Sequence, residues 1–293
     1  MTKVLITGGS GFIGRNLVGF LGNRYDISAP GSAELKLLDE RSVSDFLRSG
    51  GFDVIVHAAT TRSNRRSGAP PDMLDRNCRM FFNLARKQAL FGKMLHFGSG
   101  AEYSREGLPA RVKETYFDTR VPQDAYGFSK YICAMYAERA ANISVLRLFG
   151  VFGKYEAWDV RFISNACARV VKGLPIVIRQ NVAFDYLYVE ELARLTAWFI
   201  ENEPRHKAYN VCRGRTFTLL ELAQTVAAVS GRNPEIIVRN EGMGSEYSGD
   251  NTRMLDEIGG YEFREMRECV GELYAWYDAH AGQIDAAQLG FDE

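Results

Sequence analysis

The chain has no excess of charge of either sign. Its 293 residues carry 36 lysines and arginines against 36 aspartates and glutamates. A nucleic-acid binder normally shows a basic excess or stripe, so nucleic acid is not an expected partner. No apolar run approaches the roughly 18 residues that would suggest a membrane span, so a membrane is not expected either. Cys78, Cys133, Cys167, Cys212 and Cys269 are widely scattered, and no two form a C-x-x-C pair. An odd, scattered count fits reduced thiols in a cytosolic protein. The first residues enter a β-type run with no signal-peptide pattern, and a cytoplasmic location is the expectation. There are only four histidines and they do not cluster, so no metal site is expected. The chain shows no internal repeat and no low-complexity segment.

What is present begins at once. Lys3-Val4-Leu5-Ile6-Thr7 reads as a strand, Gly8-Gly9-Ser10-Gly11 as a tight turn, and Phe12 to Gly22 as a helix with Gly14 in its first turn. Glycines at 8, 11 and 14 give G-x-x-G-x-x-G. A turn without Cβ atoms lets the backbone approach a pyrophosphate, and the helix that follows aims free N–H groups and its positive dipole end at that anion. The pattern names a dinucleotide as ligand.

Apolar runs then alternate with helical patterns. Strands are predicted at 3–7, 25–29, 53–58, 94–98 and 144–148, and helices at 12–22, 42–49, 72–91 and 124–141. This alternation predicts an α/β fold, a Rossmann doubly wound parallel sheet covered on both faces, with ligands at the carboxyl ends of the strands. Beyond about 153 the pattern turns irregular. It continues with a helix at 160–172, a strand at 175–179, the run Phe184-Asp185-Tyr186-Leu187-Tyr188-Val189, a helix at 189–202, a strand at 208–212 and a helix at 218–230. Residues 1–153 form the predicted nucleotide-binding domain, with 182–212 returning to it. Residues 154–293 form mainly a smaller α+β substrate lobe. The segment 60–71, with Arg62, Arg65, Arg66 and Pro70-Pro71, reads as a mobile loop.

Tyr126 and Lys130 stand four apart in a helical stretch and share one face. A free tyrosine, with a pKa near ~10, is a poor acid–base group at neutral pH, and a nearby ammonium favours the phenolate. Ser99, at a strand end, supplies a hydroxyl that can bond the same substrate oxygen. Each feature also has a plain alternative: an i,i+4 pair on a solvated helix face, and a serine in a glycine-rich turn.

Taken together, these residues resemble the extended short-chain dehydrogenase/reductases, in the branch of nucleotide-sugar epimerases, dehydratases and 4-ketoreductases. The resemblance rests on Thr7 to Gly14, Asp39, His57-Ala58-Ala59, Asn77, Gly98-Ser99 with Tyr103, Tyr126 with Lys130, Leu146 to Gly150, and Phe184 to Val189, in family order. It implies that Tyr126 is the general acid/base, that Lys130 holds the nicotinamide ribose and tunes Tyr126, and that Ser99 polarises the sugar carbonyl. Gly8, Gly11, Phe12, Ile13 and Gly14 would meet the pyrophosphate, Asp39 the adenine, and Ala58, Ala59 and Asn77 the rest of the cofactor. Asp39 could equally cap a helix, and Asn77 could be an ordinary polar helix residue.

Departures from the family pattern narrow the reaction. The dehydratases carry an Asp-Glu pair after the active-site hydroxyl, where this chain has Gly100 and Ala101. The epimerase/reductases of the fucose-synthase type carry a cysteine at the position of Ala101. Hydride transfer at one carbon remains, as a 4-ketoreductase, with a 4-epimerase holding tightly bound NAD as the alternative. A non-catalytic nucleotide-binding scaffold is the alternative of another class. No carboxylate follows the second strand, in Ile27 to Ser32, and Arg15 follows the third glycine. Both favour NADP (NADPH) over NAD, although Arg15 is also readable as a solvated helix residue. The arginine that the family places before its Asp-Phe/Tyr motif is Phe184 here, so another cation must hold the sugar diphosphate. Arg161, Arg179 and the loop arginines Arg62, Arg65 and Arg66 are the candidates, with Phe149 and Ser99 completing the substrate side. A nucleotide sugar is the expected substrate, and a homodimer is the one expected assembly.

Overall fold

The computed structural model describes residues 1–61 and 68–292. Six strands form one parallel sheet: β1 (Lys3–Thr7), β2 (Asp26–Ser28), β3 (Phe52–His57), β4 (Phe91–Ser99), β5 (Ile143–Leu148) and a late arrival, which is β9 in chain order (Ala208–Val211). Their order across the sheet is β2-β1-β3-β4-β5-β9, and every pairing is parallel. Alternation within the strands divides the core. Val4, Ile6, Val54, Val56, Leu95 and Phe97 point to one face, where Leu17 and Leu21 of α1 (Phe12–Leu21) and Leu192 and Leu195 of α6 (Val189–Glu201) meet them. Leu5, Ile55, Met94 and Val145 point to the other face. There they meet α2 (Glu40–Gly50), α3 (Met73–Ala85) and α4 (Ala125–Ala137). Both faces are therefore covered, and the central strands read as continuous apolar runs because neither side meets water.

The remaining chain builds smaller units. β6 (Gly150–Phe152), β8 (Ala183–Tyr188) and β10 (Thr216–Thr218) form a three-stranded sheet in the order β10-β8-β6, and β7 (Ile176–Asn181) pairs with β11 (Ile236–Met243). A third core joins α5 (Phe162–Val171), α7 (Leu219–Ser230) and α9 (Met266–Ala279). The short α8 (Thr252–Ile258) packs through Met254 and Leu255 on the core shared with β9. Among the described residues no helix is long and apolar enough to cross a membrane.

The element boundaries differ from expectation chiefly at 72–91. The helix stops at Ala85, and β4 begins at Phe91 instead of residue 94. Asn142 holds the connection that follows: its side-chain amide donates to the carbonyls of Gln88, Phe91 and Gly92 at 3.2, 3.3 and 2.8 Å, satisfying backbone that has no partner within a helix. The sheet order reverses direction between β1 and β3. The loops leaving those two strands therefore diverge and open a crevice at their carboxyl ends.

Candidate active site

The crevice between β1 and β3 is a cavity of about 640 Å³. Thr7, Gly8, Ser10, Gly11, Ile13 and Gly14 form its floor, Leu35 to Asp39 one wall, and Ala58 to Thr61 the other. Gly8 has φ +73°, and a Cβ there would lie 2.8 Å from the backbone of Ala59. At Gly14 a Cβ would run into the Gly8 carbonyl. The turn is closed by the Gly11 N–H donating to Gly8 O at 2.9 Å, and the first helical hydrogen bond runs from Arg15 N to Gly11 O at 2.9 Å. The N–H groups of Phe12, Ile13 and Gly14 lie ahead of that bond, free for an anion. The Phe12 ring turns away into the core, so what it can offer a ligand is backbone.

Beneath this floor, Thr7 Oγ1 is 2.7 Å from His57 Nδ1 and accepts from Ala59 N at 3.3 Å, which joins the ends of β1 and β3. The His57 ring stacks on His96, centroids 5.3 Å apart. Burial, assisted by the charge of Lys130, pushes His57 down to about 3, so both buried rings stay neutral and confine positive charge to Lys130.

Asp39 lines the cavity, and it also caps α2 by accepting from Ser42 N at 3.0 Å. Asn77 lies behind the cavity wall. It accepts from Thr61 N at 2.7 Å and donates to Ser129 Oγ at 3.3 Å, and Ser129 donates to the Tyr126 carbonyl at 2.7 Å. Asn77 thus ties the loop after β3 to the helix that carries Tyr126. Arg15 is absent from the cavity lining. Its guanidinium lies 3.8 Å over the ring of Tyr155, a cation–π contact that turns it toward another part of the molecule.

α4 begins at Asp124, whose side chain accepts from Gly127 N at 2.8 Å. This cap fixes the first turn, and Tyr126 and Lys130 follow one turn apart. Lys130 is 5% exposed and donates from Nζ to the Phe97 carbonyl at 2.7 Å; that Nζ stands 6.0 Å from the centre of the Tyr126 ring. Ser99 ends β4. Its Oγ accepts from Ala101 N at 3.1 Å, and its N–H donates to Glu102 Oε1 at 2.9 Å.

Phe149 stands against the turn after Ser99: a Cβ on Gly100 would lie 2.7 Å from its ring. Tyr247, far along the chain, reaches the same point. Its segment is stitched to β8 by Tyr247 N donating to Ala183 O and Asp185 N donating to Tyr247 O, both 3.0 Å. Its hydroxyl lies 2.5 Å from where a Gly100 Cβ would be, and it interacts with the side chain of Ser99. Burial pushes the Tyr247 phenol up, so it remains a proton-bearing donor. Phe149 and Phe184 flank its ring at 5.2 and 6.0 Å, and the Arg105 guanidinium lies 4.9 Å from its centre.

Tyr247 and Arg105 were not expected from the sequence, which gives no motif for either. The arginines proposed for the sugar diphosphate fare differently. Arg62 lies outside the described residues, with Arg65 and Arg66. Arg161 precedes α5 and influences the phenol of Tyr186, which packs on Phe184 at 5.7 Å. Arg179 is an exposed residue of β7.

A model of the NAD dependent epimerase/dehydratase family matches residues 4–212. The chain belongs to that family. As a member of the NAD-dependent epimerase/dehydratases it is an NAD(P)-dependent enzyme, and the cradle at Gly8 to Gly14 fits a nicotinamide dinucleotide. It is 26% identical over 294 residues to the GDP-6-deoxy-D-talose 4-dehydrogenase of Aggregatibacter actinomycetemcomitans, covering 93% of this chain and 97% of that one. Its fold is similar to that of the UDP-glucose 4-epimerase of Thermotoga maritima, with TM-score 0.81, 20% identity, and 95% and 99% of the two chains covered. It is similar also to the GDP-mannoheptose C4 reductase of Campylobacter jejuni, solved with NADP bound, with TM-score 0.79, 19% identity, and 94% and 98% covered.

Proposed function

We propose that this epimerase/dehydratase-family enzyme is an NADPH-dependent 4-ketoreductase of nucleotide-activated sugars. One observation carries the reading. Ser99, Tyr126 and Lys130 are present, but positions 100 and 101 hold Gly and Ala, and the space at 100 is filled by the protonated phenol of Tyr247. Elimination needs an acid and a base beside the reacting carbon, and epimerisation at C3 or C5 needs a base. No group at these positions supplies a base, so hydride transfer at one carbon remains. The 4-dehydrogenase relative and the C4 reductase of similar fold support C4 chemistry.

The nicotinamide, when bound, supplies the hydride. Tyr126 gives its proton to the C4 oxygen as that oxygen gains electron density, and Ser99 donates a hydrogen bond to the same oxygen. Lys130, anchored to Phe97 O, stabilises the phenolate that Tyr126 becomes. Residues 154–293 would mainly hold the nucleotide sugar, and the return of residues 208–211 to the large sheet supports 182–212 as part of the nucleotide-binding unit.

Redox stoichiometry tests this directly. A panel of nucleotide 4-keto-sugars is supplied with NADPH, absorbance is followed at 340 nm, and products are identified by mass. We expect one NADPH consumed per reduced sugar and no interconversion of UDP-glucose and UDP-galactose. Redox-neutral inversion of an added sugar nucleotide, with no net cofactor use, would replace this reading by the 4-epimerase.

A further inference from the structure

We propose that Glu102 is a positioning residue for the reaction centre, fixing Ser99 through one carboxylate oxygen and offsetting the charges of Arg147 and Lys130 with its own. The proposal rests on the functional reading above only for its kinetic test.

The side chain of Glu102 is wholly buried, at 0% exposure. Oε1 accepts from Ser99 N at 2.9 Å, and Oε2 accepts from Arg147 Nε at 2.6 Å. Both partners are donors, so the group functions as a carboxylate although burial pushes it up from its ordinary range. Space for it is made on purpose: a Cβ on Gly98 would run into Oε1. A buried ion pair is seldom a better source of stability than apolar residues of the same volume, which points to a role in the site rather than in the core.

The groups around the carboxylate come from four directions. Arg147 is on β5. Lys130 is on α4, with Cys133 one turn on. Tyr103 follows in the same turn, its phenol pushed up by burial, and Tyr247 arrives from the C-terminal segment. Arg147 Nη2 also stands 3.9 Å from Glu138, a half-exposed carboxylate. Lys130 faces the neutral His57 and His96 on its other side. Two buried cations thus share one fully buried anion next to the helix of Tyr126. Removing that anion leaves the neighbourhood more positive, and an added positive potential favours a phenolate over a phenol.

The test compares Glu102→Gln, which keeps an acceptor for Ser99 N and deletes the charge, with Glu102→Asp, which keeps the charge and draws it away from Ser99. In the reductive direction Tyr126 must carry its proton, so kcat/KM falls on the alkaline side. Glu102→Gln should move that limb to lower pH by roughly half a unit or more. Glu102→Asp should leave the limb in place and lower kcat about tenfold. A second measurement needs no substrate: the Tyr126 phenol is titrated by ζ-¹³C-tyrosine NMR with NADP⁺ bound, its signal assigned by its loss in Tyr126→Phe. A folded Glu102→Gln protein whose limb and Tyr126 titration match the wild type would overturn the proposal. So would a Glu102→Asp protein with wild-type kcat, which decides the matter where the glutamine variant does not fold. A wild type that reduces no sugar nucleotide would sink the functional reading, and the NMR titration would still decide the role of Glu102.

Discussion

The two sides of this site are built in opposite ways. The cofactor cradle is local: one strand, one turn and one helix, residues 3 to 21, supply the glycines and the free N–H groups. The proposed substrate side is assembled from far apart. Ser99 ends β4, Tyr126 opens α4, Phe149 follows β5, Phe184 lies on β8, and Tyr247 arrives from beyond β11. A cradle that must meet an unvarying pyrophosphate can be held by backbone geometry within one short segment. A surface that must select a sugar draws side chains from several segments, so a change in any one of them alters it without disturbing the cradle.

That difference can be broken most forcefully at Tyr126. Tyr126→Phe keeps the ring and the helix and deletes only the phenolic proton. Turnover should fall by about 10²–10⁴-fold, the usual scale for loss of a general acid, while NADPH affinity measured by fluorescence titration stays within about threefold. Full turnover on the true substrate would remove Tyr126 from the chemistry.

A smaller effect is expected at Tyr247. Tyr247→Phe preserves the packing on Phe149 and Phe184 and removes the hydroxyl beside Ser99 and Gly100. Loss of one hydrogen bond at the reacting end is worth about 1–1.5 kcal/mol, so kcat/KM should drop about tenfold with cofactor affinity and melting temperature unchanged. Wild-type kcat/KM in this variant would make Tyr247 a wall of the site rather than a donor within it.

The same contrast explains what could be read from the sequence. The glycine turn, the alternating strands and the Tyr126–Lys130 pair were legible because each is set by spacing within one segment. The parallel sheet covered on both faces followed from the alternation, and the departures at Gly100, Ala101 and Phe184 could be named against the family pattern. Their consequence could not be read. That Gly100 makes room for a phenol 147 residues later in the chain, or that Phe184 packs against that phenol's ring, depends on long-range pairing of residue 247 with β8. Glu102 was hidden for a related reason. A glutamate in a turn reads as solvated until β5 brings Arg147 beneath it. At Asp39 the capping alternative holds, since the side chain accepts from Ser42 N, and the residue also lines the cavity, where a contact with adenine is a proposal.

Arg15 gives the finest test, because here the local pattern and the observed contact point to different partners. Its place after the third glycine suggested a partner for the 2′-phosphate of NADPH, yet its guanidinium covers Tyr155. Among the described residues, the cations that line the cavity are Lys36 and Arg76. Arg76 lies within 3.5 Å of Asp72, which leaves Lys36, in the wall after β2, as the better-placed charge for a 2′-phosphate. An exposed lysine acting on a phosphate as a point charge is worth about 1 kcal/mol after screening. Lys36→Ala should therefore lower the NADPH-over-NADH ratio of kcat/KM about fivefold. The loss should shrink as salt is raised, since an exposed charge pair is screened over about 10 Å at 0.1 M. Arg15→Ala should leave the ratio unchanged and cost at most the contact with Tyr155. If instead Arg15→Ala collapses the preference and Lys36→Ala does not, the arginine must leave Tyr155 when the cofactor binds, and the cradle would be less preformed than its glycines suggest.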